Sequence, residues 1–336
     1  MHFRPARIAL LAAVLLPGAT RAPAAEFYEG KTITLLVGSD VGGGFDAFAR
    51  LLARQLGRAI PGQPAVIVEN MPGAGGGIAA GYIWSKAPKD GTVIGALNPG
   101  GLLAPLFEGR GASYDTPKFQ FLGSANASTR VCVARKTGRI KSYADAIRET
   151  IVVGAGAVGS ASFDYGYLHR NVHNGNFKIV AGYKGSGDIL LAMERGEIDA
   201  TCGIDWSGLK ALRAGADMFP LLKVSVHPDA ELDAMNVPEA SSFASNETNR
   251  AIGELVGSQQ MFGRPYAVAP GVPAERVAIL RAAFDGLMSN KQFAAEAALA
   301  GLAIDAANAA SVEASVRAMY AAPAAIIEGA RQAIRP

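Results

Sequence analysis

Residues 33–46 read Ile33-Thr34-Leu35-Leu36-Val37-Gly38-Ser39-Asp40-Val41-Gly42-Gly43-Gly44-Phe45-Asp46. An apolar run of strand length gives way to a glycine-rich turn. The next apolar residues, Phe48, Leu51, Leu52 and Leu56, recur at helical spacing until Pro61-Gly62 stops them. Strand, glycine turn and helix in that order are the unit of an α/β architecture. The unit then repeats. Strand Ala65 to Val68 runs into Glu69-Asn70-Met71-Pro72-Gly73-Ala74-Gly75-Gly76-Gly77 and a helix to about Lys86. Strand Thr92 to Leu97 ends at a third loop, Asn98-Pro99-Gly100-Gly101.

A second series begins near Ser128. Strand Val131 to Ala134 leads to a helix from about Tyr143, then to strand Thr150 to Val153 and a glycine turn from Gly154 to Asp164. A helix to about His173, strand Phe177 to Ala181, the loop Gly182 to Gly187, a helix ending at Gly196 and strand Ile198 to Ile204 complete it. Both series set Phe-Asp at a helix start after a glycine turn, Phe45-Asp46 and Phe163-Asp164, which suggests two similar lobes facing one another. Residues Met261 to Val268 are expected to carry the chain back to the first lobe. Alanine-rich helices follow there, one marked by Val277, Leu280, Phe284 and Leu287 on a single face.

The chain has 336 residues, half of them hydrophobic and 18% charged, enough apolar material for a full core and too much for a disordered tail. The formal charge of +3 comes from the first 24 residues, which hold Arg4, Arg7 and Arg21 and no acid. Without them, 29 basic residues face 29 acidic ones. A neutral chain without a basic run is no phosphate-binding surface, so no nucleic-acid partner is expected. Residues 1–24 have a basic head, an apolar run from Ile8 to Leu16, a Pro17-Gly18 breaker and a small-residue tail ending at Ala24. That is the pattern of a secretory signal peptide cleaved near Ala24, and the run is far short of the roughly 20 residues needed to span a bilayer. Export to the periplasm is the expectation. Cys132 and Cys202 would then meet an oxidising compartment. Both sit in strand-like runs, so a disulfide between them is predicted, closing a loop of about 70 residues and contributing about 3 to 4 kcal/mol. Two buried free thiols are the alternative.

A glycine-rich turn between strand and helix lets backbone N–H groups point at a ligand, and the helix start adds positive partial charge, so such turns bind anions. The run Gly154-Ala155-Gly156-Ala157-Val158-Gly159 spells the dinucleotide fingerprint. The acid that should end the next strand is missing, because that strand ends Val180-Ala181-Gly182-Tyr183, and no cofactor is expected. Neither a GxSxG elbow nor an HExxH pair occurs. His169 and His173, four apart on a helix, have no evident third ligand; they read as a solvated face, and no metal is expected. Asp46 and Asp164 read as residues that cap helices or orient the loops.

Taken in order, Ile33 to Val37 with Gly42-Gly43-Gly44-Phe45-Asp46, Val68 to Gly76, Pro88-Lys89-Asp90-Gly91-Thr92, Gly159-Ser160-Ala161-Ser162, Tyr183-Lys184-Gly185, Gly196-Glu197-Ile198-Asp199 and Ala269-Pro270-Gly271-Val272-Pro273 resemble a known family. It is that of the Bug-type extracytoplasmic solute receptors, the periplasmic receptors of tripartite tricarboxylate transporters. The resemblance implies a two-lobed type II periplasmic binding protein fold, two Rossmann-like lobes joined by a hinge. Residues 25–127 plus 263–336 would form lobe 1 and residues 128–262 lobe 2. It further implies a pincer of backbone amides and bound water around a carboxylate. That puts Ser39, Asp40, Gly42, Gly43, Gly44, Phe45 and Asp46 of one lobe, and Gly159, Ser160, Ala161, Ser162 and Asp164 of the other, at the ligand. Gly73, Ala74, Gly75, Asn98, Tyr183, Asp205 and Trp206 would wall the pocket. The implied activity is capture of a small organic carboxylate by a monomer and its delivery to a membrane permease of the tripartite tricarboxylate type, without catalysis. The competing reading is an exported α/β enzyme acting on a small carboxylic acid. The chain departs from the family pattern at Asp40, a carboxylate beside the expected anion site, and at Met71, where a basic residue is frequent. Phe45, Tyr165 and Trp206, if turned inward, would suit an apolar or aromatic monoacid.

Overall fold

The computed structural model describes residues 27–107, 113–127, 129–210 and 213–336, so the leader at 1–24 and the expected boundary residue Ser128 lie outside the described residues. In chain order the strands and helices of the first part are β1 (Thr32–Val37), α1 (Gly44–Ala59), β2 (Ala65–Asn70), α2 (Gly77–Ser85), β3 (Val93–Ala96), α3 (Pro99–Phe107) and β4 (Gln120–Ser124). The middle part has β5 (Arg130–Arg135), α4 (Tyr143–Arg148), β6 (Ile151–Ala155), α5 (Ala161–Asn171), β7 (Phe177–Ala181), α6 (Ser186–Glu194), β8 (Ala200–Asp205), α7 (Trp206–Lys210), β9 (Met218–Val224), α8 (Ala230–Ala234) and α9 (Glu247–Gly257). The last part has β10 (Pro265–Val268), α10 (Ala274–Met288), α11 (Lys291–Leu299), β11 (Ala307–Asn308), α12 (Ala309–Tyr320) and α13 (Ala324–Ala333).

The strands form two sheets, ordered β11-β4-β10-β3-β1-β2 and β7-β6-β8-β5-β9. In the first, β1 lies between β2 and β3 and is parallel to both. Ile33, Leu35, Leu36 and Val37 are all buried, as a continuous apolar run in a parallel strand covered on both faces should be. Against this sheet α1 buries Phe48, Leu51, Leu52 and Leu56, the residues its spacing singled out. The chain re-enters the first sheet at β10, antiparallel to β3 and β4, and α10 buries Val277, Leu280, Phe284 and Leu287. In the second sheet β6 is parallel to β7 and β8, while β5 runs antiparallel to β8 and β9.

The predicted disulfide is present and ties β5 to β8 across 70 residues of sequence. Both cysteines are fully buried, and the β5 ladder slips between Val131 and Val133 beside them. Gly203, next to Cys202, has φ +71, and a Cβ there would lie 2.4 Å from the Ala161 carbonyl oxygen, so only glycine lets α5 approach the sheet this closely.

Two sequence readings need correction. Residues 99–101 are not a loop but the first turn of α3. Pro99 sits where its fixed φ and missing N–H suit a helix start, and Gly101 serves a close approach, since a Cβ there would lie 2.5 Å from the Gly76 carbonyl carbon. His169 and His173 do not form a solvated face; both are about 1% exposed. Helix α5 is covered by the second sheet on one side, and Asn171 at its end bonds the Ala333 carbonyl of α13 on the other. The two imidazoles bond one another, Nδ1 to Nδ1 at 2.7 Å, and burial pushes His173 down to about 4 and His169 well below its ordinary value.

Candidate functional site

Because β1, β2 and β3 are parallel, residues 38–43, 71–76 and 97–98 all leave one edge of the first sheet. Residues 156–160, 182–185 and the end of β8 leave the corresponding edge of the second. These are the carboxyl edges at which open α/β sheets bind ligands. The two edges meet: a Cβ on Gly75 would lie 2.4 Å from the Gly159 carbonyl oxygen, and one on Gly100 would lie 2.5 Å from the same atom.

On the first side, Asp46 organises the loop. Its carboxylate accepts from the Gly42 N–H, from Arg50 Nε and from Asn70 Nδ2, each at 2.9 Å. Asn70 Nδ2 also donates to the Ser39 carbonyl at 3.0 Å, so one carboxylate fixes the loop ends of both β1 and β2. Burial pushes the Asp46 carboxyl up, but the hydrogen bonds from Arg50, Gly42 and Asn70 outweigh it and hold the group below its ordinary value. Gly42 has φ +84, which allows the turn. Gly43 is the N-cap of α1 and supplies no side-chain cap, so the first N–H groups of the helix are left to another partner. Asp40 is exposed, and its carbonyl accepts from Gly43 N at 3.4 Å. Buried and without a hydrogen-bond partner nearby are Ser39 Oγ and Asn98 Oδ1.

The second side is built differently. Ser160 caps α5 by accepting from Phe163 N, and Ser162 Oγ accepts from Gly156 N at 2.9 Å. Gly159 has φ +78 and carries the loop tip to Gly75. Asp164 is buried, with its Oδ2 3.8 Å from the place a Gly100 Cβ would take. Gly73 and Ala74 are exposed on the rim, with Gly75 at the contact itself.

Three aromatic residues expected near the ligand also pack against the apolar interior. Tyr165 is buried and its hydroxyl accepts from Gln260 Nε2 at 2.8 Å. Trp206 packs with Val131, Ile204 and Leu209, and its indole N–H donates to Glu231 at 3.2 Å. It also lines a cavity of about 400 Å³ with Asn126, Thr129, Ser207 and Asp305, which none of the glycine-rich loops enters. Tyr183 packs at the edge of the same apolar cluster. Cys132, His169 and Cys202 bring three ligand-type atoms within 4.8 Å of one another, but both sulfurs are committed to the disulfide.

Sequence reasoning missed Arg264 and Arg130. Arg264 precedes β10, and its guanidinium lies 5.3 Å from the Phe45 ring centre and 5.7 Å from that of Phe48. Both Nη atoms are 3.4 Å from where a Gly44 Cβ would stand, against the first turn of α1. Nη1 is buried with no hydrogen-bond partner. Arg130 opens β5 opposite Asp205 and donates from Nη1 to the Gly203 carbonyl at 3.2 Å. Asp205 accepts from Ser207 Oγ at 2.7 Å and Gly208 N at 2.9 Å. Burial pushes its carboxyl up, and the charges of Arg130 and Arg264 with the hydrogen bonds from Gly208 and Ser207 bring it below its ordinary value.

No protein-family model matches the chain. It is similar to a UPF0065 protein from the TAR-I ttuE-ttuC' intergenic region of Agrobacterium vitis, 29% identical over 209 residues that cover 57% of this chain and 56% of the relative. The chain thus spans little more than half the length of that relative. Two solved structures have the same fold. The periplasmic binding protein BugD superposes with a TM-score of 0.69 at 19% identity, covering 91% of this chain and 98% of that one. MatC from Rhodopseudomonas palustris with bound malate superposes with a TM-score of 0.66 at 21% identity, covering 91% and 99%. The chain is thus similar in sequence to a UPF0065 protein and has the two-lobed α/β fold of the BugD and MatC structures.

Proposed function

We propose that this protein is an exported receptor that captures a small organic carboxylate between its two lobes and passes it to a membrane permease of the tripartite tricarboxylate type. In this reading lobe 1 comprises residues 25–127 and 263–336, and lobe 2 residues 128–262. The observation that carries the reading is the start of α1. A 16-residue helix without a side-chain cap ends at the interlobe edge, beside buried and unpartnered Ser39 Oγ, Asn98 Oδ1 and Arg264 Nη1. Unpaired buried polar groups are expensive, and a carboxylate would satisfy the helix N–H groups and Ser39 together. At about 1.5 to 3 kcal/mol for each hydrogen bond to a charged group, four such bonds outweigh the cost of association and leave micromolar affinity within reach. The malate in MatC, a protein of the same fold, supports a carboxylate.

The enzyme reading needs a carboxyl group poised to exchange a proton. Asp46 and Asp205 are both held below their ordinary range, with their oxygens engaged by N–H and O–H donors. That favours a role in shaping the loops over one in proton transfer. The test is a thermal-shift panel of carboxylates against residues 25–336. An acid at 100 times its dissociation constant adds about 2.7 kcal/mol of stability, a rise of several degrees. A flat panel, with no copurified acid in native mass spectra, would overturn the proposal.

A further inference from the structure

We propose that Arg264, with Arg130 beside it, forms a side-chain cation subsite for a second carboxylate of the ligand. The inference rests on the receptor reading and goes beyond its backbone pincer. The Arg264 backbone is fixed: its N–H donates to Ser124 Oγ at 3.1 Å and its carbonyl accepts from Ala125 N at 3.0 Å. The guanidinium is held against Phe45 and Phe48, and glycine at position 44 leaves the room it occupies. This puts a cation at the positive end of a helix dipole, an unfavourable place unless an anion joins it. Arg130 adds a second cation to the same electrostatic neighbourhood, and Asp205, opposite Arg130 in the β5–β8 ladder, is a carboxylate whose charge acts on both.

Asp205 does not complete the Arg264 fork. It accepts from Ser207 and Gly208, and no hydrogen bond or ion pair joins it to Arg264 among the described residues. A planar guanidinium whose buried Nη1 has no hydrogen-bond partner is suited to bidentate pairing with a carboxylate. The α1 N–H groups and Arg264 lie side by side, so one carboxylate on the helix start and another on Arg264 would belong to a single short-chain diacid. A monoacid at the helix start would leave Nη1 of Arg264 without a partner of its own.

The experiment is calorimetric titration of residues 25–336 with matched straight-chain acids: succinate against butyrate, glutarate against pentanoate, adipate against hexanoate. The expected result is at least a tenfold preference for the diacid in the best pair. Arg264→Met should bring the two acids within threefold by weakening the diacid more than the monoacid, with circular dichroism unchanged. Arg264→Lys, which keeps the charge and the bulk but loses the fork, should fall between. Asp205→Asn removes the competing carboxylate and should tighten diacid binding several-fold. Equal affinity for both members of every pair in the unaltered protein overturns the subsite and leaves the receptor reading standing, as does a diacid preference that survives Arg264→Met. Binding of neither member of any pair overturns the subsite, and the receptor reading falls with it when the wider carboxylate panel is also flat and no copurified acid is found.

Discussion

Gly100 offers a test of whether the interlobe contact matters for binding. It lies in the first turn of α3, and the three atoms nearest an added Cβ all belong to the second glycine loop and the helix after it: the Gly159 carbonyl oxygen at 2.5 Å, its carbon at 3.6 Å and Asp164 Oδ2 at 3.8 Å. Gly100→Ala should therefore leave lobe 1 intact and stabilise α3 by up to about 1 kcal/mol through helix propensity. Ordinary contact needs about 3.4 Å, so the lobes must part locally by roughly 1 Å, enough to stretch a 2.9 Å hydrogen bond beyond useful length. If two bonds from lobe 2 to the ligand are lost, at about 1.5 to 3 kcal/mol each, affinity falls by two to four orders of magnitude. Calorimetry reads the affinity and urea unfolding the stability. A variant that binds within twofold of the unaltered protein would refute the reasoning, because the contact would then play no part in closure.

Three further outcomes are expected. Gly43→Val should abolish binding with little effect on folding, because φ at Gly43 is −76 and its Cβ would meet only the Asp40 carbonyl oxygen at 3.5 Å; unchanged affinity would rule out an anion at the start of α1. Stability should fall as pH drops from about 6.5 to 4, since His173 is held at about 4 and the unfolded chain binds the extra proton first. The loss approaches about 3 kcal/mol for His173 alone, and urea unfolding across that range should show the slope shrinking in His173→Gln. Replacing both Cys132 and Cys202 with alanine should lower the unfolding free energy by roughly 4 kcal/mol for a loop of this length, and an unchanged denaturation midpoint would count against that figure.

The parts of the fold that were legible in sequence are those where local pattern and tertiary role agree. The stretch from Ile33 to Asp46 gave β1, its turn and the start of α1 because a buried parallel strand is uniformly apolar and a helix packing on it shows its own period. Asp46 as an organiser of the loops could be read from its place at a helix start. Helix α3 was hidden because Gly100, Gly101 and Pro105 look like breakers, whereas two of them answer to close approaches visible only in three dimensions. Strand β4 was missed for a related reason, since Gln120 to Ser124 is short and has no glycine turn after it to announce a unit. The burial of His169 and His173 depends on what covers α5 from both sides, and a helix carrying Arg170 and Asn171 looks solvated on paper. Arg264 was silent because a lone arginine between Gly263 and Pro265 belongs to no pattern. Its position just before the strand that returns to the first sheet is the one signal that could have marked it.

The most direct test of the account is a crystal structure of residues 25–336 with the acid that gives the largest thermal shift. The account predicts a carboxylate within hydrogen-bond distance of the N–H groups at the start of α1, facing the Gly159–Ser162 loop across the cleft. A ligand seated instead in the cavity beside Trp206, or one that leaves the α1 terminus to solvent, would contradict it.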